Sequence, residues 1–282
     1  MRKLEMPIED PGQVFLICIS RVSDAELKAR LTCVEADIVN ASMEFVNAVS
    51  TSALHTLPRQ EGINGIVSNE EMSDVYTKRM AKKGQPGRPI YEKLLAAPAF
   101  GQCPLCGQRI VSTLDHHLPK AHYSALVVAP VNLVPSCADC NKAKLAATPN
   151  VQEEQTLHPY FDDIEGVSWL YADVIEATPP ALRFFVHAPE CWDELMLERV
   201  SYHFRVFKLA ELYTKHAAVE LVNIRYALNR LYEEAGRDGI KTHLLEQAGS
   251  REAAHINSWQ TAMYKALAAS DWYCNGGFRA GE

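Results

Sequence analysis

Apolar positions recur at helical spacing over the first part of the chain. Leu27, Leu31, Val34 and Ile38 share one face, and Ser23 and Asp24 stand where a cap is needed. The pattern predicts a helix over residues 23–50. The run QVFLICI before it is short and apolar throughout, which suits a strand or a helix start equally. A second helix is predicted from Asn69 to Lys83, where GQPGRP stops it, and IYEKLLAA reads as a short helix leading to Pro98. From Trp192 onward the pattern is helical almost to the end. Leu195, Leu197, Val200, His203, Phe204, Phe207, Leu209, Leu212 and Tyr213 make a broad apolar stripe, continued by Leu221, Ile224, Leu228 and Leu231. Gly236, Asp238 and Gly239 break the run, and two further helices are predicted over 239–248 and 251–270.

The middle of the chain is different. Residues 101–163 are rich in Cys, His, Pro and Asn, and the short runs RIVSTL, ALVVAP and NLVP read as strands and loops. VSWLYADVIEA and ALRFFVHA suit strands or short helices. The expected fold class is mainly α with a small α+β insert. Its three regions are a helical 1–100, a Cys-rich module at 101–163 and a helical 164–282.

Composition narrows the setting. No apolar run reaches membrane-spanning length, and the start MRKLEMPIEDPG is too polar for a signal-peptide core. A soluble, cytoplasmic chain with no membrane partner is expected. Eight cysteines without a secretion signal point to metal binding or buried thiols, not to a disulfide framework. Cys18, Cys33, Cys191 and Cys274 have no partner spacing and read as buried free thiols. The net charge of −7 means that any nucleic-acid surface must be local. One basic run holds Lys78, Arg79, Lys82, Lys83, Arg88 and Lys93, and it reads either as such a surface or as a solvated helix face.

CPLCGQ supplies Cys103 and Cys106, and CADCNKAK supplies Cys137 and Cys140. Two CxxC knuckles make a tetrahedral thiolate site of the kind structural zinc prefers. A redox reading of one pair would leave the other unexplained. Residues 107–136 lie between the knuckles, more than an ordinary zinc ribbon carries, so the clamp holds something extra. Closing it would bring Asp115, His116 and His117 near Asn132 and Asn141. Four thiolates leave zinc no open position for catalysis. Asp and Asn oxygens are hard ligands suited to Mg²⁺, and a neutral imidazole is a fitting base near neutral pH. Together they suit metal-assisted hydrolysis of a phosphodiester.

The stretch LDHHLPK…NLVPSCADCNKAK resembles the HNH endonuclease superfamily, a ββα-metal fold with zinc knuckles at its flanks. The similarity covers Cys103–Lys144, with HPYFDD (His158–Asp163) as a further similar stretch. Asn141 stands where the family often has histidine. The resemblance implies that His116 activates water, that Asp115 and Asn141 hold one Mg²⁺ or Mn²⁺, and that Asn132 braces the loop carrying His116. Strand alternation alone favours His117, because it shares a face with Asp115. Pro119 marks the strand's end, where alternation is unreliable. The family pattern assigns His116 and leaves His117 as a histidine that supports the site from behind or packs. Lys120, Lys142 and Lys144 read as phosphate contacts or as ordinary solvated lysines. Lys144 is favoured because it lies three residues beyond Asn141 on one helix face. His158 reads as a ligand or phosphate contact, or as part of a packed turn.

The expected activity is cleavage of DNA to 5′-phosphate and 3′-hydroxyl ends, with RNA also open as substrate. The alternative is a zinc-stabilised nucleic-acid-binding or adaptor module without catalysis. The long form of the motif is similar to bacterial anti-phage HNH effectors paired with an ATPase, such as the Septu type. That implies a partner protein, such as an ATPase, docking on the helical flanks.

Overall fold

The undecided run QVFLICI is helical. Asp10 caps it by accepting from Gln13 N at 2.8 Å, Pro11 opens it, and α1 spans Pro11–Ile19. The computed structural model describes residues 1–145 and 147–281. They form two units, Met1–Asp163 and Ile164–Glu282.

In the first unit the helix expected over 23–50 is two. These are α2 (Ala25–Cys33), capped by Asp24, and α3 (Glu35–Ser50), with Val34 between them at φ −100°, ψ 11°. A capping box between Ser68 and Glu71 starts α4 (Asn69–Asp74), which runs on as a π-helical turn over Val75–Met80. Pro89 lies in the first turn of α5 (Arg88–Leu95). Strand β1 (Thr113–His116) pairs antiparallel with β2 (Leu133–Ser136), setting Asp115 opposite Val134 and His116 opposite Leu133. Helix α6 (Ala138–Lys144) follows, ending at Leu145 with a left-handed φ of 51°. ALVVAP is not a strand. Ser124–Leu126 is a 3₁₀ turn, and the run leads through a buried loop into a second one, Pro130–Asn132.

One core joins these elements. Phe15, Cys18, Leu31, Ile38, Met72 and Met80 from the helices pack with Leu114, Val127, Val128 and Leu133 from the Cys-rich stretch. The first two regions read from the sequence therefore share a single unit, and only the change near residue 163 is also a packing boundary.

In the second unit β3 (Leu170–Ile175) and β4 (Ala181–Val186) form an antiparallel hairpin. Helix α7 (Glu194–Val206) is capped by Asp193. Element α8 (Leu209–Ala254) is interrupted at Gly236, whose φ 59°, ψ −155° only glycine adopts without strain. The predicted break is real, but the chain resumes helix at once. Ser258 caps α9 (Trp259–Ala269), so the helix expected over 251–270 is divided at residues 255–258. The short α10 (Asp271–Cys274) follows. β3 lies on α9 and β4 on α8. Asn257 ties the hairpin's entry down, accepting from Trp169 N at 2.9 Å and donating to Val167 O at 2.7 Å.

Mainly helical architecture with two small antiparallel sheets is thus observed. Of the four unpaired cysteines, Cys18 and Cys274 are buried as expected, but Cys33 and Cys191 are exposed. No helix among the described residues is long and apolar enough to cross a membrane.

Candidate functional site

The four cysteines converge. The sulfur atoms of Cys103, Cys106, Cys137 and Cys140 all lie within 4.8 Å of one another, and all four residues are buried. The knuckle backbones turn amides toward sulfur. Arg109 N reaches Cys106 Sγ at 3.5 Å, and Cys140 N reaches Cys137 Sγ at 3.4 Å. Hydrogen bonding among the four sulfurs lowers the Cys106 and Cys137 thiols and raises those of Cys103 and Cys140. A closed set of soft donors with amides stabilising thiolate charge fits zinc. The ion pair of Arg109 with Asp139 at 2.9 Å links one knuckle to the other.

The cluster sits beside β1, β2 and α6. At the end of β1 three successive side chains enter three surroundings. Asp115 faces α6, where its Oδ2 lies 3.2 Å from Lys144 Nζ. His116 sends Nε2 to Val127 O at 2.9 Å and packs edge-on against Tyr76, ring centroids 4.4 Å apart. His117 lies against His158 at 4.3 Å and Phe45 at 6.3 Å. Its backbone N still bonds Asn132 O, so pairing persists one residue past the strand.

Burial governs the electrostatics. It raises the Asp115 carboxyl, against the pull of Lys144. It also lowers His116 to about 3, against the Val127 hydrogen bond and with help from the charges of Lys120 and Lys144. The Val127 carbonyl can only accept, so Nε2 carries the proton and Nδ1 carries the lone pair.

Asn132 is fully buried and uses its amide on the loop. Leu118 N donates to Oδ1, and Nδ2 donates to Leu118 O and Leu126 O. Asn141 is half-buried on α6, in the residue after Cys140.

The expected phosphate contacts divide. Lys142 is exposed, and Lys120 is half-buried with its ammonium 5.5 Å from the centre of the Tyr76 ring. Lys144 is instead inside, 5% exposed, and also donates to His116 O at 2.6 Å. His158 is fully buried among His117, Phe45, Tyr160 and Phe161, with its backbone N on Asp162 Oδ2. It forms the packed turn and lies at no phosphate-facing surface. Half of the basic run is paired: Lys78 with Asp74 and Arg88 with Glu92 within their own helices, and Lys93 with the distant Glu9. Lys82 and Lys83 are exposed.

A Mg²⁺ ion does not fit Asp115 in this arrangement, because the carboxylate already faces an ammonium group. Tyr76, the carbonyl of Val127 and the inward turn of Lys144 were not legible in the sequence. Tyr76 lies 40 residues before His116, and no local pattern links them.

No family model matches the chain, and no solved structure matches it. Among curated proteins, Protein ea31 of Escherichia phage lambda is 26% identical over 298 residues, covering 98% of this chain and 100% of the phage protein.

Proposed function

We propose that this chain is an HNH-type endonuclease that hydrolyses phosphodiester bonds of DNA, with His116 as general base. One observation carries the reading. A strand–strand–helix succession (β1, β2, α6) brings Asp115 and His116 beside α6, the helix of Asn141, with Asn132 bracing the loop between the strands and four cysteines gathered next to them. The cysteine cluster holds the ends of the segment together when metal is bound, and it supplies no reacting group.

In the reaction His116 Nδ1 takes a proton from water as the water oxygen bonds to phosphorus. The bond from phosphorus to the 3′ oxygen breaks, that oxygen takes a proton from solvent water, His116 returns its proton to solvent, and the products are a 5′-phosphate and a 3′-hydroxyl. Asn132 holds the loop, and through it the imidazole, in register. Lys142 and Lys120 offer cations toward the phosphate backbone. The sugars are not distinguished by these groups, so RNA is tested alongside DNA. No step is routed through Mg²⁺, because the Asp115 carboxylate faces Lys144.

The test is nicking of supercoiled plasmid and cleavage of labelled DNA and RNA with Mg²⁺ or Mn²⁺. Cleavage that disappears in His116→Ala supports the reading. No cleavage of any substrate, with either ion, rejects it. The Asp115–Lys144 pair and the burial of His116 favour one other reading, a zinc-stabilised nucleic-acid-binding or adaptor module. Tight binding without turnover, unaffected by His116→Ala, selects that one. A protein partner of the ATPase kind and a place in anti-phage defence rest on the sequence resemblance of the central third. Mass photometry with the product of the adjacent gene tests them.

A further inference from the structure

We propose that Lys144 is a built-in cation that closes Asp115, so that a divalent metal ion and the Lys144 ammonium exclude one another at this carboxylate. The inference deepens the endonuclease reading, since it concerns access to the same site, but its test does not depend on cleavage.

The argument starts from burial. Asp115 and Lys144 are 4% and 5% exposed, and neither is a surface charge that solvent could neutralise. A buried carboxylate needs a partner, and a buried ammonium needs oxygens. Each supplies the other here. Lys144 Nζ is 3.2 Å from Asp115 Oδ2 and 2.6 Å from His116 O. One carboxylate and one carbonyl oxygen around a cation are also a hard donor set of the kind a magnesium or manganese ion uses. The ammonium therefore sits where a metal at Asp115 would draw its ligands. A dication placed on that carboxylate would stand within a few ångströms of the ammonium, in a poorly solvated interior where like charges repel strongly. Both cannot stay.

The position of Lys144 lets it leave. It is the last residue of α6, and Leu145 after it takes a left-handed φ and is 71% exposed. Withdrawal needs only the final turn to loosen, and a negatively charged phosphodiester arriving there offers the ammonium a new partner. On this account the free protein keeps its carboxylate shut. Lys144 is thus a gating and positioning residue that acts through Asp115.

The experiment measures Mn²⁺ binding to the full-length, zinc-loaded protein by electron paramagnetic resonance, with thermal melting in parallel and no nucleic acid present. Wild type is expected to show no Mn²⁺ binding that Asp115→Asn removes. Lys144→Met is expected to melt lower without Mn²⁺ and to recover when it is added. It should bind one ion on the order of tenfold more tightly than wild type or better, and lose it in the Lys144→Met, Asp115→Asn double variant. Two results overturn the proposal: Asp115-dependent Mn²⁺ binding by wild type, or a Lys144→Met protein that Mn²⁺ neither binds nor stabilises, whether or not it folds alone. The wild-type arm needs no variant to fold with its charge removed. If the gate holds and no form cleaves nucleic acid, the endonuclease reading fails alone.

Discussion

Asn132 and Leu118 exchange two hydrogen bonds. Leu118 N donates to Asn132 Oδ1 at 2.7 Å, and Asn132 Nδ2 donates to Leu118 O at 3.0 Å. One side chain thus copies a backbone pairing and joins the residue just past the histidine doublet to the residue just before β2. A third bond, to Leu126 O at 3.2 Å, fixes the loop between them. Asn132→Ala leaves the Leu118 amide and carbonyl without partners, while Leu126 O keeps its bond from Ala129 N, so a loss of about 2 kcal/mol is expected in urea unfolding. Asn132→Asp keeps the acceptor but not the donors and should cost nearly as much. A change within experimental error for Asn132→Ala would mean that the loop is held by other contacts.

The adjacent histidines should separate cleanly on substitution. His116→Ala removes the nitrogen assigned as base and should lower cleavage by about 10²–10⁴-fold with zinc content unchanged. His117→Ala removes packing against Phe45 and His158 and should lower stability while leaving cleavage within a few-fold. A dead His117→Ala beside an active His116→Ala would transfer the base assignment to His117.

Metal content is the third expectation. The four converging cysteines predict one zinc per purified chain. Chelation at neutral pH should expose the amides of residues 101–145 to hydrogen exchange first, because that segment has only short strands and one short helix of its own. Cys103→Ser or Cys140→Ser should reproduce the effect. A chain that purifies with no metal and is indifferent to chelators argues against the site.

An acid-stability effect is expected at the start of α4. Glu71 accepts two hydrogen bonds from Arg30 and one from Ser68 N, and Arg30 is the main cause that lowers its carboxyl from 4.5 to about 2. A group whose folded value is depressed contributes stability above its unfolded value and loses it as pH falls toward the folded one. The contribution should be complete above about pH 4.5 and fade between there and pH 2. The pair is partly exposed, so salt should weaken it. Glu71→Gln should flatten this part of the stability profile, and an unchanged slope would place the acid sensitivity elsewhere.

Local chemistry was legible in the sequence. CxxC spacing brings two sulfurs to one point through the backbone of a single turn, so the cysteine cluster could be read residue by residue. The cap at Asp24, the helix start at Asn69 and the break at Gly236 are also local, because caps and left-handed turns are settled within four residues. The choice between strand and helix for QVFLICI was not, since a short run apolar almost throughout carries no period, and only the structure shows that Ile17 faces outward. Nor did the sequence reveal that residues 1–100 and the Cys-rich stretch share one core, for apolar residues do not name their partners. The candidate site shows the same limit most sharply. The sequence supplied Asp115, His116, Asn132 and Asn141, but Tyr76 against His116 and Lys144 against Asp115 follow from packing between distant segments. That packing alone decides whether a charge faces water or another charge.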